Sequence, residues 1–262
     1  MEETKGTLAN QSAEKVLSII EYIAKQPEAC RLQDIAKDLK MSPSTVLRFL
    51  NSLLNSGYIE QDKDTSKYDL TYKICGVSNL VASKKSMRKI ALPFMRNLSK
   101  MLGESVCLAI EQSSYIVYVE VVEGIDQIVK TMQRIGNSSP MHCTGVGKLF
   151  LSQYDDSQVV NFVEKMGLPK FTENTITTLY DLQKELVLVS QQGYAIDNEE
   201  CEIGAKCVAV PITDYTSKII ATISITGPIF RMSDEKISEI LPLIINTAKE
   251  ISNKLGYNEK KS

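Results

Sequence analysis

The chain has 262 residues, 43% hydrophobic and 24% charged. That is enough apolar content for an ordinary folded core in one large or two modest domains. Lys plus Arg number 30 and Asp plus Glu 32, a net charge of −2, which excludes a strongly basic protein that coats nucleic acid by bulk charge. No run approaches the ~18 apolar residues of a membrane span. The N-terminus, Met1-Glu2-Glu3-Thr4-Lys5, lacks the apolar core of a signal peptide, so a cytoplasmic protein with no membrane partner is expected.

In chain order, residues 1–12 are polar and predicted to fray. From Ala13 the stripe Val16, Leu17, Ile19, Ile20, Ile23 and Ala24 predicts a helix that Pro27 ends. A short helix with Leu32, Ile35, Ala36 and Leu39 on one face follows. After Lys40-Met41-Ser42-Pro43 comes a third helix, carrying Val46, Phe49, Leu50, Leu53 and Leu54 and stopped by Gly57. Tyr58-Ile59-Glu60 and Tyr68-Asp69-Leu70 read as a hairpin with a charged tip from Gln61 to Lys67. Tyr72 to Leu102 suits helices. Beyond Gly103, strands are predicted at Ser105–Ile110, Tyr115–Val122 and Ile128–Arg134. Helices follow at Val146–Leu151, Val159–Met166 and Leu179–Gln191. Strands return at Gly193–Asp197, Lys206–Ile212 and Lys218–Thr226, and Ser233–Leu255 closes as a long amphipathic helix. Interleaved strands and helices ending in an adjacent strand pair predict an α+β fold.

The segment Leu32 to Asn51 is the most informative. A helix-turn-helix brings two helices together at a steep angle through a tight turn, which demands a small residue at the contact and apolar residues on either side. Ala36 is the small residue; Ile35, Leu39, Met41, Val46 and Phe49 are the apolar ones. Ser42 suits the cap and Pro43 the first turn of the third helix. Lys40 stands where such turns often carry glycine, a cost of ~1 kcal/mol if it is left-handed. The third helix then becomes the reading helix, and the hairpin a wing. The candidate DNA contacts are Ser42, Ser44, Thr45, Arg48 and Asn51 on the helix, with Lys63 and Lys67 on the wing. Charge supports this weakly. Residues 1–75 hold ten Lys or Arg against eleven Asp or Glu, but residues 31–50 hold Arg31, Lys37, Lys40 and Arg48 against Asp34 and Asp38. A helical interaction module with a solvated charged face is the competing reading.

Two later segments carry candidate chemistry. Ser138-Ser139-Pro140-Met141-His142-Cys143-Thr144-Gly145-Val146-Gly147-Lys148 places glycines at a helix entry, where free amides and the helix dipole favour an anion. It is no phosphate-binding P-loop, because His142 stands where glycine is required and Leu149 where Ser or Thr is required. A close helix contact is the alternative reason for the glycines. Gly193 to Cys207 contains Asp197, Glu199 and Glu200, a run that by itself more often marks a solvated loop. The six cysteines, Cys30, Cys75, Cys107, Cys143, Cys201 and Cys207, form no C-x-x-C pair and read as reduced, mostly buried residues. A His142–Cys207 nucleophilic pair, or zinc held by His142, Cys143, Cys201 and Cys207, lacks diagnostic spacing. No catalytic residue, metal or cofactor is expected.

Over residues 13–256 the sequence resembles the IclR (isocitrate lyase regulator) family of bacterial transcription factors. Three stretches carry the resemblance: Ser12 to Tyr72; Pro140 to Lys148; and Gly193-Tyr194 through Asp197-Asn198-Glu199-Glu200, Gly204 and Cys207-Val208-Ala209-Val210-Pro211 to Ile223-Ser224-Ile225-Thr226-Gly227-Pro228. The resemblance implies a winged helix-turn-helix at 1–75, a linker helix at 76–88 and a GAF-like α/β effector-binding and oligomerisation domain at 89–262. It implies a homodimer or tetramer on double-stranded operator DNA, most simply a repressor, controlled by a small organic acid or aromatic metabolite, with a carboxylate expected here. The implied effector residues are Gly145, Val146, Asp197, Cys207, Ser224 and Thr226. Val146 and Thr226 replace the alanine and serine frequent there and narrow the pocket, and Cys201 replaces a frequent histidine. The readings of other classes are an enzyme with an N-terminal docking module, and a regulator without a ligand.

Overall fold

The structure, a computed structural model, describes residues 11–84, 86–124, 135–136 and 138–257. These form two compact units, one up to Lys84 and one from Ser86.

The N-terminal unit holds α1 (Gln11–Ala24), α2 (Leu32–Asp38), α3 (Pro43–Asn55), β1 (Ile59–Gln61), β2 (Tyr68–Leu70) and α4 (Lys73–Lys84). Helix α1 begins at Gln11, two residues before the predicted start at Ala13. Ile19, Ile23, Ile35, Ala36, Val46, Phe49, Leu50, Leu53, Ile59 and Tyr68 fill one core. Each fully buried large aliphatic side chain there is worth about 1.5–3 kcal/mol against exposure. The hairpin pairs Ile59 with Leu70 and Gln61 with Tyr68. Cys30 extends it: its amide donates to the Tyr68 carbonyl at 2.9 Å, and its carbonyl accepts from the Tyr68 amide at 2.8 Å. That bridge ties the loop before α2 to the wing.

In the second unit, α5 (Met87–Leu102) precedes β3 (Ser105–Gln112), β4 (Tyr115–Val122), β5 (Ser138–Ser139), α6 (Gly145–Leu151), α7 (Asp156–Met166), α8 (Leu179–Gln192), β6 (Ala195–Asn198), β7 (Ala205–Thr213), β8 (Ile219–Pro228) and α9 (Asp234–Lys254). The helical stretch from Tyr72 to Leu102 is thus two helices, broken at Ser86, which precedes the first turn of α5. The six strands form one antiparallel sheet in the order β5-β4-β3-β8-β7-β6. The strand predicted at Ile128–Arg134 lies outside the described residues.

Strand alternation splits this sheet into two faces. Val106, Leu108, Val208, Val210, Ile223 and Ile225 pack with Met95 and Leu98 of α5 and Ile240, Ile244 and Ile251 of α9. Cys107, Ala109 and Ala209 face the other way, toward Val146, Leu149 and Phe150 of α6, Phe162 of α7 and Leu182 and Leu186 of α8. The second face carries small residues on β3, β7 and β8, which lets α6 lie close.

Candidate functional sites

The DNA-reading candidates sit on a rigid base. Between α2 and α3 the chain turns on Lys40, which is left-handed at φ 53°. The Met41 amide closes the turn on the Ala36 carbonyl at 2.9 Å. Ser42 caps α3: its Oγ accepts from the Thr45 amide at 3.3 Å and donates to Thr45 Oγ1 at 2.8 Å. Two of the seven sequence-derived contacts, Ser42 and Thr45, are therefore engaged with each other at the helix start. Ser44, Arg48 and Asn51 are exposed along one side of α3. The Arg48 guanidinium lies 5.2 Å from the Phe49 ring centroid, a cation–π contact that orients it along the helix. On the wing Lys63 is exposed, while the Lys67 ammonium stands 3.7 Å from Glu28. Asp62 shapes the tip by accepting from the Asp64 and Thr65 amides and the Thr65 hydroxyl, bonds that hold its carboxyl below the ordinary range, those from Thr65 most of all. Sequence reading missed Leu47, which is 43% exposed on the same side of α3.

In the second unit, α6 starts against β6. Thr144 caps it, its Oγ1 donating to the Pro140 carbonyl at 2.8 Å and accepting from the Gly147 amide at 3.1 Å. A Cβ on Gly145 would lie 3.1 Å from the Ala195 carbonyl oxygen and 3.4 Å from the Asp197 amide; one on Gly147 would collide with the Met141 backbone. Close backbone approach therefore accounts for both glycines. It also puts the first turn of α6, whose amides have no intrahelical acceptor, beside Asp197.

Strand register assembles the rest. Asp197 pairs with Cys207 and Cys207 with Thr226; Ser224 lies between Ala209 and Cys107. All of them are buried. Among the described residues the hydroxyls of Ser224 and Thr226 have no oxygen or nitrogen partner; both face the Cys207 thiol, a weak one. Burial pushes the Cys207 thiol up to about 12, raised further by Asp197, while the Thr226 and Ser224 hydroxyls pull it back. The Val146 side chain packs into the core, so only its backbone is available to a ligand.

Asp197 is not part of a solvated run. Its Oδ1 accepts from the Glu200 amide at 2.8 Å and the Cys201 amide at 3.4 Å. Burial raises its carboxyl to about 7, against the pull of those two amides and of Lys148 and with a further push from Glu200. Glu200 is buried too. Its Oε1 receives the Lys148 ammonium at 2.6 Å, which also reaches Glu185 at 2.8 Å. Lys148 is 1% exposed. Burial disfavours its charge, but Glu200 and Glu185 outweigh that and hold its pKa above the ordinary value. One sequence signal points to this network: Val146 to Leu151 is apolar on every side, so a lysine inside it must find a buried counter-ion. Glu199 adopts φ 58° and its carboxylate accepts from the Gly204 amide at 2.7 Å, closing the loop.

His142 points elsewhere. Its Nε2 is 3.1 Å from the Pro169 carbonyl and its ring stacks loosely on Phe171, in the wall of a separate cavity of about 220 Å³ with Tyr115, Phe162 and Met166. Burial lowers its pKa. The Cys143 and Cys201 thiols hydrogen-bond to each other, and that contact, with burial, raises the Cys143 pKa. Among the described residues no three His, Cys, Asp or Glu side chains are grouped to hold a metal ion, and no helix is long and apolar enough to cross a membrane.

Comparison with known proteins bears on both units. The family model of the IclR helix-turn-helix domain matches residues 12–63, and that of the bacterial transcriptional regulator IclR C-terminal domain matches residues 79–253. The HTH-type transcriptional regulator KdgR of Escherichia coli is 32% identical over 94% of this chain and 92% of its own length. The transcriptional repressor IclR of the same organism is 28% identical over 94% of this chain and 90% of its own. Among solved structures, the Thermotoga maritima IclR superposes with a TM-score of 0.63 at 32% identity, covering 94% of this chain and 99% of that one.

Proposed function

The chain belongs to the IclR family of bacterial transcriptional regulators, and on that footing we propose that it is a cytoplasmic repressor whose grip on operator DNA is set by a small carboxylate. Residues 1–75 read DNA, 76–88 connect, and 89–262 sense the ligand and assemble a homodimer or tetramer. Two copies present two α3 helices to half-sites of a palindrome, about one helical turn apart or a multiple of it. Lys63 and Lys67 meet phosphates and add affinity; Ser44, Arg48 and Asn51 meet base edges, on a helix start organised by Ser42 and Thr45.

The observation that carries the effector site is the pair of buried hydroxyls of Ser224 and Thr226, which among the described residues have no oxygen or nitrogen partner. Buried polar groups are nearly always satisfied, and an exception asks for a missing partner. A bound carboxylate supplies acceptors for both, and for the amides of Gly145 and Val146. Asp197, when protonated, donates to the ligand; when ionised, it accepts from a ligand hydroxyl. Cys207 lines the floor. These groups bind and orient.

A thermal-shift screen of small carboxylates and sugar acids tests this. One of them raises the melting temperature of the wild type, because a ligand selective for the folded state stabilises it. The same compound changes operator retention in a gel shift. Arg48→Ala weakens operator binding by about 5- to 100-fold while keeping the ligand-induced shift. A screen in which no acid shifts the melt removes the effector; wild-type operator affinity in Arg48→Ala removes the reading face.

A further inference from the structure

Of the large apolar side chains of α3, Leu54 is half-buried against the core of the N-terminal unit. Val46, Phe49, Leu50 and Leu53 are buried in the core of the N-terminal unit, whereas Leu47 is 43% exposed. The core is complete without it. Leu47 shares a stripe with Ser44, Arg48 and Asn51, at helical spacings of three and four residues, and all four are exposed. It sits in the N-terminal half of a helix with a side-chain cap and a proline at its first turn, the half that reaches base edges when a reading helix lies in a major groove.

From this placement we infer that Leu47 is a specificity-determining residue that packs on the C5-methyl group of a thymine in the operator. The inference rests on the reading of α3 as the groove helix. Its chemistry is that of exclusion. The major-groove edges of the bases offer hydrogen-bond donors, acceptors and one apolar group, the thymine methyl. Leucine has nothing to exchange with a donor or an acceptor, and facing one strips its water without replacement. Facing a thymine methyl, it buries apolar surface on both sides. Arg48 follows directly in sequence on the same exposed side of α3. Arg48 favours guanine, whose O6 and N7 it grips with two bonds. The selected half-site therefore carries both a thymine and a guanine.

The test uses the full chain to select duplexes from a random pool, then replaces each thymine of the selected operator by deoxyuridine, one methyl at a time. At one position in each half-site the replacement weakens wild-type binding by about fourfold, the factor for one buried methyl-sized group. Leu47→Ala melts like the wild type, since the side chain lies outside the core. It binds the thymine operator more weakly and no longer distinguishes thymine from uracil at that position. Arg48→Ala binds more weakly still but keeps the distinction. The inference is overturned if no single methyl matters to the wild type, or if Leu47→Ala still senses the one that does. A wild type that selects no duplex overturns the groove-helix reading itself, and this inference with it.

Discussion

Ser224 and Thr226 carry buried hydroxyls with no oxygen or nitrogen partner among the described residues, only weakly accepting thiols. A side chain that costs stability in the empty protein and gains only on ligand binding leaves a signature opposite to that of a core residue. Ser224→Ala removes a buried hydroxyl that meets only thiols, so the ligand-free protein holds its stability to within about 1 kcal/mol, while the ligand-induced rise in melting temperature disappears. A calorimetric melt with and without the effector reads both. Asp197 makes a second prediction, through pH. Its folded-state pKa, about 7, lies above the ~3.9 of an unfolded aspartate, so the folded protein holds the proton more tightly. The stability this contributes is fully present below about pH 4 and is lost as pH rises through about 7. Asp197→Asn retains an acceptor for the Glu200 amide and cannot ionise. Its denaturant midpoint should fall less than that of the wild type between pH 5 and pH 8; parallel pH profiles would contradict the buried, proton-retaining carboxyl. Both residues stand out in the sequence only through a resemblance. Nothing local to Ser224 distinguishes it from any other serine on a strand.

At the scale of the element, α6 is a seven-residue helix with no solvent face, clamped most tightly at Gly147. Gly147 meets the Met141 backbone so closely that an added methyl has nowhere to go. Gly147→Ala should destabilise the second unit by about 3 kcal/mol or more, the class of loss seen when a core is overpacked. Its melt should fall while that of the N-terminal unit, followed by protease resistance, stays put; an unchanged melt would mean that the helix entry is looser than described. The spacing of the glycines was legible from the sequence. Whether they served an anion or a close contact was not, because that depends on which strand lies underneath. The α2–α3 turn is the contrasting case. Ala36, Lys40, Ser42 and Pro43 act within eight residues of one another, so the sequence suffices to read the turn, including the left-handed lysine.

For the molecule as a whole, regulation requires that ligand and operator each favour different arrangements of the same chain. Such coupling is reciprocal: if an effector lowers operator affinity by some factor, saturating operator lowers effector affinity by the same factor. Titration calorimetry of the effector, with and without operator duplex, should give a ratio equal to the gel-shift ratio. Equal effector affinity in both states, beside a changed gel shift, would break the two-state account.

The helix-turn-helix, its cap and the order of helices and strands follow from the sequence alone, because propensity, capping and apolar period act over a few residues. The pairing of β3 with β8, the burial of Glu200 against Lys148 and the meeting of Gly145, Asp197, Cys207, Ser224 and Thr226 were decided only in the folded unit. Contacts between distant segments are selected by mutual burial and backbone pairing, and those forces leave no mark on either segment taken singly.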